Sequence, residues 1–494
     1  MSKKTLVALL TIVLVATAGV ALVYAQSGTD TVTHNTSWTF QNLGDDTANV
    51  QVDFYDDTGV QVASEAITVE KSAAFWAPDQ PYLPTSLNGS IVASSDQPLA
   101  ATVNQVAQNT TSGKSGNATY IGFNSDSVAP SMYAPSLMKG LAGIYWTELS
   151  IQSTAPSGDI TVEVYYFNED GTEVTGNPSN YVVPAGSPVR VAQEDEARIP
   201  DNWIGSVRVD AQDGTTDIAL VVNEFYGGNR RKFNQFYSYE GFASGAETVV
   251  VPNVFINGYD GLYNASATVQ NLGSVPAQVT WHFYDNTPGN PSMGTEIHSF
   301  SNVITTSQAV YFPDAAYAQT LMDGYAAGDD EWIGTVIFEC TNGQPLVAIV
   351  NELSGSFHAA SFTGLSEGGT KLNYPMAFVD GFGGYAQTSF AIVDMSDTAG
   401  PVEVTVYYIP DTDPDTGCPG CLPWSDNYTF TINDNKYQPT HLPASVLSNG
   451  EYIGAIEIVV ETPGKTIAGV MNEILGFGAF NMDNFTSFNG TVTP

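Results

Sequence analysis

An alternating strand recurs four times along this chain, and nothing else in the sequence limits the fold as tightly. It reads Val50, Val52, Phe54; Val162, Val164, Tyr166; Val279, Trp281, Phe283; and Val404, Val406, Tyr408. Successive side chains of a strand point to opposite faces, so period two means one apolar, buried face and one wet face. The intervening positions Gln51, Asp53, Glu163, Thr280 and Thr405 are polar. One-sided alternation belongs to antiparallel sheets and argues against a doubly wound α/β fold.

Two further markers recur in the same order. Each repeat has a strand ending in Asn-Glu: Asn223-Glu224, Asn351-Glu352 and Asn472-Glu473, with Asn104-Gln105 as the first copy. Upstream of it stands Trp203-Ile204-Gly205, Trp332-Ile333-Gly334 or Tyr452-Ile453-Gly454, with a weaker Leu87-Asn88-Gly89. Conserved order and spacing of three markers within one chain predict tandem copies of one unit. Turn residues such as Asp170-Gly171, Asn342-Gly343 and Pro463-Gly464 punctuate the strands, and no amphipathic helical stretch follows residue 25. The expected fold is all-β: four tandem immunoglobulin-like antiparallel β-sandwiches of about seven strands each, behind an N-terminal signal peptide. The predicted segments are 1–25 for the signal peptide and 26–129, 130–248, 249–370 and 371–494 for the repeats. Within the second, Ile204–Ala211 and Ile218–Phe225 are expected to form a hairpin about Asp213-Gly214. Four sandwiches joined end to end would make a rod.

Lys3 and Lys4, the apolar run Leu6–Val23 and the small-x-small Val23-Tyr24-Ala25 have the form of a cleaved leader. A run of 18 apolar residues is also nearly long enough for a membrane anchor, but a polar stretch, Gln26–Asp30, follows at once. The expected location is therefore extracellular or on the cell surface, with no membrane insertion after cleavage. The 52 Asp+Glu against 14 Lys+Arg give a net charge of −38, which excludes a nucleic-acid partner for want of a basic surface.

Gln41-Asn42-Leu43-Gly44 followed by Val50–Asp56, and Gln270-Asn271-Leu272-Gly273 followed by Val279–Asp285, resemble the CARDB type of bacterial surface domain. The likeness covers about 20 residues per repeat, and the second and fourth repeats depart from it, with Ser153-Thr154-Ala155 and Asp394-Met395-Ser396 in the turn. The resemblance implies an immunoglobulin-like fold, an adhesive or structural role and no catalytic residues.

Candidate chemistry is sparse. Gly364-Leu365-Ser366-Glu367-Gly368 has the form of a nucleophile elbow, but that motif needs a strand before it and a helix after it, and an extended segment follows here. Three equivalent Asn-Glu pairs look like fold equipment, because a glycosidase needs one acid and one partner carboxylate at a fixed separation. The five histidines, His34, His282, His298, His358 and His441, are scattered. Asp411, Asp413 and Asp415 alternate in a glycine-containing loop and could converge on Ca²⁺; the competing reading is a solvated acidic loop. No other cofactor is expected. Cys418-Pro419-Gly420-Cys421 in an exported protein predicts a loop-stapling disulfide between Cys418 and Cys421, and Cys340 reads as a buried free thiol.

These features predict a non-enzymatic structural or adhesive protein, a subunit of a surface layer, sheath or filament. Its partners would be itself, through a heterologous contact, or other cell-surface components. Repeats two to four open with Tyr133-Ala134-Pro135, Val250-Val251-Pro252 and Asn373-Tyr374-Pro375; the first repeat has no such opening, and the chain ends where a fifth would begin. Two readings follow: the tail 489–494 donates a strand head-to-tail to the first repeat of the next copy, or Thr31–Thr36 supplies that strand and the tail is frayed. The alternative is a polysaccharide-binding protein using aromatics such as Tyr226, Trp424 or Tyr437.

Overall fold

A computed structural model describes residues 11–15 and 32–493, except 78–87, 110–114, 177, 230–232, 262, 288–289, 291, 313–330, 355–357, 382–385, 399, 412–422, 432–436, 440–451 and 476–484. It is all-β, with 67% of residues in strands and 2% helical, in several antiparallel sheets.

The first set of strands is β1 (Thr11–Val15), β2 (Val32–Asn42), β3 (Ala48–Asp56), β4 (Gln61–Val69), β5 (Ala74–Ala77), β6 (Gly89–Ser95), β7 (Leu99–Asn109) and β8 (Ser115–Ile121). They form two sheets, β1-β6-β3-β4 and β5-β2-β7-β8. The second set is β9 (Ser131–Leu141), β10 (Tyr145–Ser153), β11 (Ile160–Asn168), β12 (Ser179–Val183), β13 (Pro188–Ala192), β14 (Trp203–Ala211), β15 (Ile218–Tyr226) and β16 (Gln235–Glu240). Their order is β12-β11-β14-β9 and β13-β10-β15-β16, joined where β9 briefly pairs β10. The third set is β17 (Thr248–Ile256), β18 (Tyr263–Asn271), β19 (Ala277–Asp285), β20 (Glu296–Ile304), β21 (Ala309–Phe312), β22 (Trp332–Cys340), β23 (Leu346–Ser354) and β24 (His358–Thr363), in sheets β17-β22-β19-β20 and β21-β18-β23-β24. The last is β25 (Lys371–Val379), β26 (Ala386–Asp394), β27 (Pro401–Pro410), β28 (Trp424–Thr431), β29 (Tyr437–Pro439), β30 (Tyr452–Val460), β31 (Ile467–Leu475), β32 (Phe485–Asn489) and β33 (Thr491–Thr493), in sheets β28-β27-β30-β25-β33 and β29-β26-β31-β32.

One order therefore recurs: the first strand lies beside the sixth, and the seventh lies beside the second. In the constant-type immunoglobulin order the first strand pairs the second and the seventh pairs the sixth. The two strands have exchanged sheets, so the expected immunoglobulin strand order is not the one found. The expected β14–β15 hairpin is absent for the same reason. β14 pairs β11 and β9, β15 pairs β10 and β16, and the Asp213-Gly214 turn crosses between layers.

The alternating marker occupies the third strand of each set, and its apolar residues are buried. Trp332 lies fully buried, and Trp203 is 5% exposed, as the repeat pattern predicts. Their Ile-Gly sequel has a steric cause. A Cβ on Gly334 would sit 2.1 Å from Trp332 Cζ2, and one on Gly205 would sit 2.4 Å from Trp203 Cζ2, so the indole lies on the glycine two residues ahead. Cys340 is buried and free. Pro252 and Pro375 fall inside β17 and β25, where the pairing register shifts. Pro135 falls likewise within β9, whose partner shifts between Gly205 and Val207. Proline cannot donate to the ladder, and the bulge absorbs the missing bond.

The four sets do not run end to end. β8 packs on β16, β16 on β24, β24 on β32, and β32 returns to β8. At the perimeter β9 packs on β18 and β23, β17 on β26, and β25 on β2 and β7. Hydrogen bonds span each seam: Arg190 Nη2 to Asn88 Oδ1 (2.9 Å), Ser206 Oγ to Ser307 O (2.8 Å), Asn489 Nδ2 to Thr363 O (2.9 Å) and, closing the circle, Thr39 Oγ1 to Met376 Sδ (3.5 Å). The expected rod is thus replaced by a ring. The seventh strands explain it: β15 carries Ile218–Val222 and β23 carries Leu346–Val350, apolar on both faces. One face fills its own sandwich and the other needs a neighbour. Ile349 joins the core shared by the first two sets, and Ala468 and Val470 join the third set's core.

Candidate functional site

The polar residues that recur with the repeat converge on the seams of this ring. Each Asn of the Asn-Glu marker sits directly opposite a hydroxyl residue on the eighth strand of its set. Asn104 pairs Thr119, Asn223 pairs Ser238, Asn351 pairs Ser361, and Asn472 pairs Ser487. In every case the hydroxyl donates to the Asn Oδ1, at 2.6, 2.7, 2.7 and 2.9 Å. The cross-strand bond satisfies a polar pair on a face that the ring closes against a neighbour.

The acid beside each Asn points the other way, because adjacent strand residues alternate. Glu224, Glu352 and Glu473 are all 0% exposed, and Gln105 takes the place in the first set. Ser487 Oγ of the fourth set lies 2.9 Å from Glu352 Oε2, across the seam; its one proton goes to Asn472, so the protonated Glu352 carboxyl is the donor there. Among the described residues neither oxygen of Glu473 has a hydrogen-bond partner. Burial pushes Glu352 and Glu473 up to about 8 and lifts Glu224 well above the usual carboxyl range, where the Asn351 side-chain amide of the next set pulls against that rise. Leaving an unpaired carboxylate in such a place costs several kcal/mol by order of magnitude, so these acids are held protonated at neutral pH. Glu240 on β16 accepts the Ile121 N–H across the first seam and is raised to about 7 by burial.

The arrangement can hold strands together and can take up protons; it offers no paired acid and base to a substrate. Among the described residues no group of three His, Cys, Asp or Glu is placed to hold a metal ion. Asp411 donates its N–H to Ile453 O at 2.9 Å, while Asp413, Asp415, Cys418 and Cys421 lie outside the described residues. Gly364–Gly368 runs from β24 into β25, without the helix that a nucleophile elbow requires. Ser366 and Glu367 line a cleft of about 240 Å³ between the third and fourth sets, and no histidine lines it. His282 lies 3.4 Å from Glu296 and 3.3 Å from Glu339 on the wet face of the third set; His298 stands opposite Phe283 on the neighbouring β20, His34 and His358 lie on other sheets, and His441 is outside the described residues. Tyr226 is half-buried against Tyr145, their rings 4.9 Å apart; the side chains of Trp424 and Tyr437 are outside the described residues. No described helix is long and apolar enough to cross a membrane.

The buried glutamates and the closed ring are what the sequence reading missed. The signal was present in the unbroken apolar runs leading into each Asn-Glu pair, which imply a strand covered on both faces. A comparison with protein-family models finds no match, and a comparison with curated proteins finds none either.

Proposed function

We propose that this chain is an exported, non-enzymatic structural protein, a building block of a surface layer, sheath or filament. The observation that carries the reading is the fate of its repeated polar residues. The Asn-Glu pairs, which alone recur like a functional motif, are spent inside the fold: each Asn bonds a hydroxyl of the neighbouring strand in its own set, and Glu352 meets Ser487 of the next set. The acidic composition and the leader-like N-terminus fit an extracellular setting.

Head-to-tail donation by the C-terminal tail needs that tail free. Here β33 pairs β25 of its own chain, with Thr493 opposite Lys371 and Thr491 opposite Asn373. Phe242 and Leu365 make the corresponding bridges to Tyr133 and Val250. The contact between copies is therefore assigned to the outer strands. β4, β12, β20 and β28 each end a sheet. Val182 and Val303 on two of them are both 59% exposed. An edge strand with outward valines is a surface on which a further copy can pair. Negative-stain microscopy of culture material tests the function: ordered polymers carrying this chain support it. Dispersed single rings that bind a glycan resin would refute it in favour of polysaccharide binding.

A further inference from the structure

We propose that, once the leader has been removed, the first repeat is a strand acceptor that takes an extended apolar segment from a different polypeptide into the position β1 holds here. The inference rests on the exported reading above. β1 pairs antiparallel with β6, with Thr11 opposite Ser95, Val13 opposite Ala93 and Val15 opposite Ile91. In the third set that position belongs to β17, with Val249 opposite Phe338 and Val251 opposite Val336. In the fourth it belongs to β25, with Leu372 opposite Ile458 and Tyr374 opposite Ile456. With Gly89 aligned on Gly334 and Gly454, Val13 falls where Val249 and Leu372 stand, and Val15 where Val251 and Tyr374 stand. The slot imposes one register on three unrelated sequences.

β1 nevertheless occupies the slot as a guest. It has 5 residues, against 11, 9 and 9 in β9, β17 and β25. It stops opposite Ile91, so Gly89 has no counterpart to the Gly334–Val254 pairing. It lacks the proline bulge. Sixteen residues separate it from β2, against 3, 6 and 6 in the other sets. It also lies inside the apolar run that reads as a leader core, so cleavage after Ala25 would carry it away.

Neither end of the shortened chain offers an equivalent. Gln26–Thr31 is polar, and β33 is already paired with β25. β6 would then present an unpaired backbone edge beside Ile91 and Ala93, both buried in the first core. Such an edge is filled by strand addition, in which the backbone ladder supplies affinity and the apolar slot supplies selectivity. The fitting partner is an uncharged, β-branched segment of at least five residues without proline. Basic flanks suit a chain of net charge −38.

The test begins with the mass of the exported protein's N-terminus, followed by hydrogen exchange on that protein. The probe is a synthetic peptide of residues 9–17 carrying a lysine tail, compared with its Val13→Pro version and with full-length chain expressed without export. The expected result is cleavage near Ala25, and β6 amides facing away from β3 that exchange at least tenfold more slowly with the peptide. The proline version should have no effect, and the full-length chain should need no peptide. Should the shortened chain fold only when the peptide is added, the slot is likewise confirmed. Retention of residues 11–15 in the exported protein overturns both the leader reading and the acceptor. Cleavage with β6 amides already protected, or protected by self-association of the shortened chain, overturns the acceptor and leaves the leader reading intact.

Discussion

Lys465 donates to Asp394 Oδ2 at 2.9 Å in a site where the two side chains are 4% and 1% exposed. The pair replaces a single asparagine. In the first set Asn42 closes the turn after the second strand, with Nδ2 donating to Asp46 O and Val69 O and Oδ1 accepting from Gly44 N. Asn271 does the same with Val275 O, Ile304 O and Gly273 N. In the fourth set Asp394 keeps the acceptor half, taking the Ser396 N–H at 2.8 Å. Lys465 supplies the donor half, to Thr398 O and Gly400 O. The fourth repeat departs from the Asn-x-Gly turn because its amide is divided between two residues 71 positions apart.

Removing either partner should leave a buried charge alone. Asp394→Ala or Lys465→Met is expected to destabilise the fourth repeat by about 3–5 kcal/mol. The double variant Asp394→Asn/Lys465→Met should recover most of that loss, since an asparagine can again donate to the turn carbonyls. Urea unfolding of the three variants checks this, and a double variant no better than the singles would show the amide analogy to be wrong.

The seam acids make stability fall as pH rises. Glu352 and Glu473 bind protons more tightly folded, at about 8, than at their ordinary 4.5. Their contribution is complete below about 4.5 and is lost as pH climbs through about 8, at up to roughly 1.4 kcal/mol per pH unit for each group titrating. Glu224 adds to the same trend, with Tyr239 facing its carboxyl. Melting temperature should therefore be lower at pH 9 than at pH 5. Glu352→Gln with Glu473→Gln, copying Gln105 of the first set, should flatten that dependence. An unchanged slope in the double variant would place the titration elsewhere.

The aromatic-Ile-Gly marker predicts that two unlike substitutions do similar harm. Trp332→Ala should cost about 3–5 kcal/mol by emptying a fully buried site. Gly334→Ala should be comparably damaging, because its methyl would meet both Trp332 Cζ2 and, at 2.2 Å, Tyr284 O. A loss under about 1 kcal/mol for Gly334→Ala in thermal unfolding would mean that the indole moves aside freely.

A closed ring and a rod scatter differently. A compact chain of this length has a radius of gyration of about 23 Å. Small-angle scattering should return a value close to that, with no rod-like regime at intermediate angles. Truncation after residue 370 removes β25 from β2 and β7, and should lower the melting temperature of the first repeat as well.

What the sequence determined by itself was local. Period two in Val50–Phe54 and its three copies fixed which face of each third strand is buried, because alternation is a property of a single strand. The Trp-Ile-Gly marker located a core tryptophan, and Asn-Glu was recognisable as structural equipment from its recurrence. Only the tertiary structure decided which strand lies beside which. β14 and β15 are consecutive and joined by a good turn, yet they belong to different layers, and no turn residue records that choice. Only the tertiary structure, too, decided what covers the outer faces of β15 and β23. Ile349 and Val470 look like ordinary core residues in sequence, but the surface that buries them comes from another repeat. That is a long-range packing relation with no local period. It closes the four sets of strands into a ring, and it places Glu224, Glu352 and Glu473 in the dry seams where their protonation follows from burial.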